Sequence, residues 1–234
     1  MDPARRSGPI DIGLRAARSL GGRATRPRSK WADAVERDPD HSRRYIERFR
    51  LLAEAGNDLV GEARLVDAVV PRGAAILDAG CGPGRHAGYL QRAGHRVVGV
   101  DLDPVLIEAA EADEPGPDYR VGDLTDVEVP RLASAAEEAN VAEGFDAILC
   151  AGNVMTFLHP ATRRPVLERF AGWLAPEGRA LVGFGAGRGY GFREFGADAE
   201  ASGLAIDGAF STWDLRPFGE DSSFLMAMLV RAPR

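Results

Sequence analysis

The sequence predicts a doubly wound α/β fold: a mostly parallel sheet with helices on both faces, preceded by short helices and closed by an antiparallel hairpin. Three observations carry that expectation. The first is the stretch Ile76-Leu77-Asp78-Ala79-Gly80-Cys81-Gly82-Pro83-Gly84-Arg85, which reads as a strand, a tight turn and the start of a helix. Glycine lacks a Cβ, so such a turn lets a ligand lie directly on the backbone, and a helix start adds free N–H groups and partial positive charge. The second is Arg96-Val97-Val98-Gly99-Val100-Asp101, a β-rich run ending in an acid 19 residues after Gly82. Doubly wound nucleotide-binding folds place a ribose-binding acid ~20 residues after that turn. The third is a pair of β-rich runs, 206–215 and 224–231, joined by Arg216-Pro217-Phe218-Gly219-Glu220-Asp221 as a long hairpin.

Taken in order, residues 1–30 mix Arg, Gly, Pro and Ser with few large apolar side chains, the composition of a disordered basic leader. A basic amphipathic helix around 10–20 is the competing reading. From 31 to 70 apolar residues recur at three- and four-residue steps (Trp31, Val35, then Tyr45, Phe49, Leu52, then Leu59, Leu65, Val66, Val69), broken at Asp38-Pro39-Asp40 and Gly56-Asn57-Asp58. Two or three helices are expected there. Pro71-Arg72-Gly73 is a turn, and strands at 74–78, 96–101 and 118–122 alternate with helices at 84–93 and 104–112. Gly94 suits a helix C-cap, and Pro104 suits a first helical position after Asp103 as N-cap. An acidic, alanine-rich segment follows, with a surface helix expected at 130–140. A fourth strand spans 145–150, a helix 160–174, and Pro176-Glu177-Gly178 forms a tight turn into a fifth strand at 179–184. The glycine-rich stretch 185–193 reads as a mobile rim carrying Arg188, Tyr190 and Arg193, before a helix at 192–202 stopped by Gly203.

Length and composition suit one sizeable domain with an appendage. The hydrophobic share of 45% and charged share of 27% over 234 residues are those of an ordinary globular protein. No apolar run approaches the ~20 residues of a membrane span and no secretory h-region is evident, so a cytoplasmic protein without a membrane partner is expected. The net charge of −6 divides into +6 on residues 1–30 and −12 on the rest, an acidic body that disfavours generic nucleic-acid binding. Cys81 and Cys150 are expected to be reduced, and no Cys/His cluster offers a metal site. Nothing in the sequence specifies an oligomeric state.

Gly80, Gly82 and Gly84 read G-x-G-x-G, not the G-x-G-x-x-G of a dinucleotide fingerprint. With Asp78 two residues ahead, the stretch resembles motif I of the class I S-adenosylmethionine-dependent methyltransferases. Asp101, the Tyr119-Arg120-Val121-Gly122-Asp123-Leu124 run, the Leu174-Ala175-Pro176-Glu177-Gly178 turn and the terminal hairpin are similar to that family's too, and the resemblance covers about 72–234. It implies a seven-stranded Rossmann-like sheet, with 31–71 capping the pocket and 72–234 binding S-adenosylmethionine as cofactor. The cofactor-binding residues it implies are Asp78, Gly80, Cys81 and Gly82 at the first turn, and Asp101 and Leu102 at the ribose. Asp123 and Leu124 would meet the adenine, and Cys150 and Ala151 the methionine end.

Methyl transfer from a sulfonium is an in-line displacement, served mainly by holding donor and acceptor together in a dry pocket, with a general base optional. The candidate bases are His159, beyond the fourth strand, and His86, opening the first helix of the α/β unit; each has a capping or packing role as its alternative. Arg44, Tyr45, Arg48, Asn153 and Tyr190 are candidate substrate-pocket residues, with Trp31 and Trp213 as further aromatic walls. The fourth-strand turn reads Ala-Gly-Asn-Val, lacking the Asn/Asp-Pro-Pro-Tyr/Phe motif of amide-directed relatives. The expected reaction is therefore methyl transfer to O or N of a small-molecule acceptor. An RNA or protein methyltransferase using the Arg-rich N-terminus for docking and a non-catalytic cofactor-binding regulator stay open; a nicotinamide-dependent oxidoreductase ranks last.

Overall fold

The computed structural model describes residues 27–130, 132–133 and 143–233. The expected leader up to residue 26, its alternative helix around 10–20, and nearly all of the surface helix at 130–140 lie outside the described residues.

Three helices come first: α1 (Lys30–Arg37), α2 (His41–Glu54) and α3 (Gly61–Val69). Ser29 caps α1 by accepting from the Ala32 N–H at 3.1 Å, so the helical region starts at the end of the segment read as leader. The α/β unit then runs β1 (Ala75–Ala79), α4 (Arg85–Arg92), β2 (Arg96–Asp101), α5 (Pro104–Asp113), β3 (Asp118–Val121), β4 (Phe145–Cys150), α6 (Val154–Phe157), α7 (Pro160–Trp173), β5 (Leu174–Gly185), α8 (Phe192–Ala201), β6 (Leu204–Phe210) and β7 (Phe224–Arg231). The seven strands form one sheet in the order β3-β2-β1-β4-β5-β7-β6. β7 runs antiparallel to both of its neighbours, β5 and β6, and the other pairings are parallel.

Central parallel strands are covered on both faces, which explains why β1 and β4 are apolar runs without alternation and wholly buried. Their side chains still divide by parity. Ile76 and Leu149 pack with Ala63 and Val66 of α3 and Ala87 and Leu90 of α4, whereas Leu77 and Cys150 pack with Val166, Leu167 and Phe170 of α7 and Phe195 of α8. Asp146 is a buried exception, its carboxylate accepting from the Ala75 N–H at 2.7 Å and tying β4 to β1. The chain leaves β1 toward β2 on one side and reaches β4 on the other, so the crevice above the carboxyl ends of β1 and β4 is a topological switch point, where ligands of such sheets bind.

Two local expectations change. The 176–178 turn is absorbed into β5: Phe145 pairs with Leu174 but Ala147 with Arg179, a bulge that loops the extra residues out without ending the strand. The 185–193 rim is tied down. Arg163 donates to the Gly189 carbonyl at 2.5 Å, and Lys30 Nζ to the Arg188 carbonyl at 2.8 Å. Among the described residues no helix is long and apolar enough to cross a membrane.

Candidate functional site

The turn after β1 is held by backbone geometry that side chains would oppose. Gly80, Gly82 and Gly84 have φ of +85°, +55° and +82°, the left-handed region. A Cβ on Gly80 would overlap the γ-methyls of Val154, and one on Gly84 would stand 2.5 Å from the Tyr119 hydroxyl. The Gly80 and Cys81 N–H groups both donate to the Val100 carbonyl, at 2.8 and 3.0 Å, which locks the loop to the tip of β2. The N-cap residue of α4, Gly84, has no side chain to cap the helix, and the Ala87 N–H of its first turn is engaged by the buried Asp78 carboxylate.

At the tip of β2, Asp101 accepts from the Gly82 N–H through Oδ2 and from the Asp103 N–H through Oδ1, each at 3.0 Å. Burial pushes its carboxyl up to about 6, helped by the negative Asp103 and Asp78; the two N–H bonds pull the other way. After β3, Asp123 accepts from Thr125 through its N–H (2.9 Å) and hydroxyl (2.7 Å), both on Oδ1.

These groups line one cavity of about 810 Å³, its open mouth included. Its floor is the glycine turn and Val100; Leu102, Leu106, Gly122 and Leu124 form one wall, and Ala151, Gly152 and Val154 the opposite one. The N-terminal helices roof it. Trp31 meets Tyr45 and Phe157 edge-on, with ring centroids 5.1 and 5.9 Å apart, and the Trp31 indole N–H donates to Asp103 Oδ2 at 2.8 Å.

The end of the cavity under α3 is charged. Arg85 lies over the Phe49 ring at 4.7 Å and donates to the Leu59 carbonyl at 2.9 Å. Glu62 stands 3.7 Å from Arg85 and 3.4 Å from His86 Nε2. Burial alone would raise the Glu62 carboxyl, but His86 and Arg85 hold it down to about 2. Asp78, fully buried beneath the loop, is raised by desolvation against the pull of His86 and Arg85, and its Oδ2 has no hydrogen-bond partner.

Of the residues expected here, Gly80, Cys81, Gly82, Asp101, Leu102, Asp123, Leu124, Ala151, Tyr45 and His86 line the cavity. Others stand elsewhere. Cys150 ends β4 with its side chain on the α7 and α8 side of the sheet, and Asp78 lies under the loop, not on the cavity surface. Arg44 is exposed and pairs with Asp38. Arg48 is exposed beside Phe49, because the α2 face turned to the cavity is that of Tyr45. Asn153 uses its side-chain carbonyl to accept from the Gly185 N–H at 2.8 Å, tying the β4 turn to β5. Tyr190 is core, not rim: it stacks on Phe184 at 5.6 Å, lies 4.0 Å from the Arg163 guanidinium and donates to Asp198 at 2.8 Å. His159 is exposed and caps α7 through Nδ1, which accepts from the Ala161 N–H at 3.1 Å. Trp213 packs on Gly183 and Phe224, away from the cavity.

Sequence reasoning missed Arg85 and Phe157. Arg85 had a signal, a cation directly after the last loop glycine; Phe157 had none beyond being aromatic. Among the described residues no three His, Cys, Asp or Glu side chains gather as a metal site.

Residues 76–178 match a protein family described as a methyltransferase domain. The chain superposes on the crystal structure of a TehB-like SAM-dependent methyltransferase from Corynebacterium glutamicum with a TM-score of 0.76 and 48% identity, covering 83% of this chain and 100% of that one. Among curated proteins, it is 34% identical over 117 residues to a ubiquinone biosynthesis O-methyltransferase of Xanthomonas axonopodis pv. citri, covering 48% of this chain and 43% of that protein. It is 27% identical over 107 residues to the mouse 18S rRNA (guanine-N(7))-methyltransferase, covering 45% and 37%. The match thus spans less than half the length of these curated relatives.

Proposed function

Because the chain belongs to the class I S-adenosylmethionine-dependent methyltransferases, we propose that it transfers the methyl group of S-adenosylmethionine to an oxygen or nitrogen of a small-molecule acceptor. The observation that carries the acceptor class is the roof of the cavity: Trp31, Tyr45 and Phe157 enclose it with aromatic and apolar surface. A roof of that kind suits a compact organic acceptor better than a polyanion.

The residues present fit the cofactor. At Gly82 a Cβ would meet nothing nearer than Tyr45 Cε1 at 3.8 Å, which leaves room for backbone contact, and a part-buried carboxylate at Asp101 suits two vicinal hydroxyls as donors. In this reading Asp101 holds the ribose, and Asp123 accepts from the adenine amino group through the oxygen that Thr125 leaves free. Leu102 and Leu124 flank the ring, and Arg85 faces the carboxylate of the methionine end. When bound, the cofactor supplies an electrophilic methyl on a sulfonium. Ala151, Gly152 and Val154, on the opposite wall, would border the methyl-transfer end of the cavity and help orient the acceptor. His86 is the imidazole on the cavity wall, its Nε2 3.4 Å from a Glu62 carboxylate oxygen, and is the candidate general base; His159, spent on a helix cap, is not proposed for that role.

Binding should follow the ionisation of Asp101. A carboxylate accepts two hydrogen bonds from a diol, whereas a protonated carboxyl loses acceptor capacity. The dissociation constant for S-adenosylhomocysteine is therefore expected to be flat above pH 7 and to rise as pH falls through about 6. Titration calorimetry at half-unit pH steps measures it; an affinity that improves on acidification would contradict the assignment.

The RNA reading is favoured by one observation, the +6 charge of residues 1–30. Labelled methyl transfer from S-adenosylmethionine into a small-metabolite extract and into total RNA, with and without residues 1–26, separates the two. Small-molecule labelling indifferent to the deletion supports the proposal, and RNA labelling that is salt-sensitive and lost on deletion supports the alternative.

A further inference from the structure

The roof is fastened to the floor through one buried side chain that lies outside the cavity. Asp103 is 4% exposed and has every polar group engaged. Its Oδ1 accepts from the Val105 N–H at 2.9 Å as the cap of α5. Its Oδ2 accepts from the Trp31 indole of α1 at 2.8 Å and from the Ser42 hydroxyl of α2. Its own N–H donates to Asp101 Oδ1 at 3.0 Å. Both roof helices therefore anchor on the carboxylate of a residue whose backbone holds the acid at the tip of β2.

We propose that Asp103 is a positioning residue that couples docking of the α1–α2 roof to the orientation of Asp101, so that roof closure and cofactor retention are one event. The inference rests on the reading of Asp101 as the ribose-binding acid. Ser42 makes the argument specific. It is 1% exposed, lines no part of the cavity, and reaches the cofactor site only through Asp103. A neutral Asn at 103 keeps the cap through its carbonyl but turns an amide N–H₂ toward two donors, so the roof loses its anchor.

The same substitution removes a charge that Asp101 feels. The groups facing Asp101 are Asp78 of β1, Cys81 and the Gly82 N–H in the loop, Tyr45 of α2 and Asp103 itself. Removing the negative charge nearest in sequence lowers the pH at which Asp101 titrates, in the same direction as re-solvation by a loosened roof; Ser42→Ala, which loosens the roof and keeps the charge, separates the two.

The test is stopped-flow release and calorimetric binding of S-adenosylhomocysteine to the full chain, with wild type, Ser42→Ala, Asp103→Asn and Asp101→Ala. Wild-type binding that Asp101→Ala abolishes establishes the underlying reading; absence of either result defeats that reading before this one is reached. Given both, the proposal expects Ser42→Ala to speed release about threefold with the pH midpoint of binding unchanged. It expects Asp103→Asn to weaken binding at least tenfold and to move that midpoint below about 6. Release from Ser42→Ala at the wild-type rate would overturn the coupling even if Asp103→Asn does not fold. Asp103→Asn with wild-type affinity and midpoint would overturn it as well.

Discussion

Asp101→Ala should raise the dissociation constant for S-adenosylhomocysteine at least a hundredfold while leaving the protein folded. The first half follows from two hydrogen bonds to a part-buried charged acceptor, each contributing about 1.5–3 kcal/mol. Their joint loss is worth two or more decades in affinity. The second half follows from the sign of the carboxyl's shift. Its folded-state value of about 6 lies above the ordinary 3.8, so ionising it costs the fold stability as pH rises between those values, and the cost is fully present above about 6. Deleting the group relieves that cost and offsets the loss of its bonds from the Gly82 and Asp103 N–H groups. Calorimetry and a thermal melt at pH 7.5 read the two halves. Unchanged affinity would refute the ribose assignment, and unfolding would show Asp101 to be a structural residue first.

Gly80→Ala should cost both stability and affinity. A side chain at φ +85° is penalised by about 1–2 kcal/mol, and the added methyl would stand 3.0 Å from Val154 Cγ1 and closer still to Cγ2. Val154 is β-branched and opens α6, so its rotamer cannot swing clear. A total loss of about 2–4 kcal/mol in unfolding free energy is expected, with at least tenfold weaker cofactor binding, since Val154 also lines the cavity. Val154→Ala in the Gly80→Ala background should restore the steric part and leave the backbone part. Denaturant titration of the four members of the cycle tests this; additive single effects would mean that the two residues do not meet.

The parts of the site legible in the sequence were those fixed by local rules. Positive φ at Gly80, Gly82 and Gly84 demands glycine, an acid at the tip of a second strand follows from the spacing of the βαβ unit, and Pro104 after Asp103 marks a helix start that the structure contains. The parts not legible depend on which face an element turns inward. Cys150 and Ala151 are neighbours, yet strand alternation buries one against α7 and leaves the other on the cavity. Arg44, Tyr45 and Arg48 share one or two turns of α2, and only packing against α1 decides that Tyr45 faces in. Tyr190 read as rim because glycines surround it, but a stacked Phe184, a guanidinium and a carboxylate partner draw it into the core. Asp103 was read only as a cap; its second oxygen serves helices 61 and 72 residues away in sequence, a distance that no local pattern spans.

Whether this cavity binds S-adenosylmethionine is decided by calorimetric titration of the wild-type chain with S-adenosylmethionine and S-adenosylhomocysteine, with NADH as control. The expected result is one site per chain that takes both sulfur ligands with micromolar affinity and does not take NADH. Binding of NADH in place of the sulfur ligands, or binding of none of the three, would contradict it.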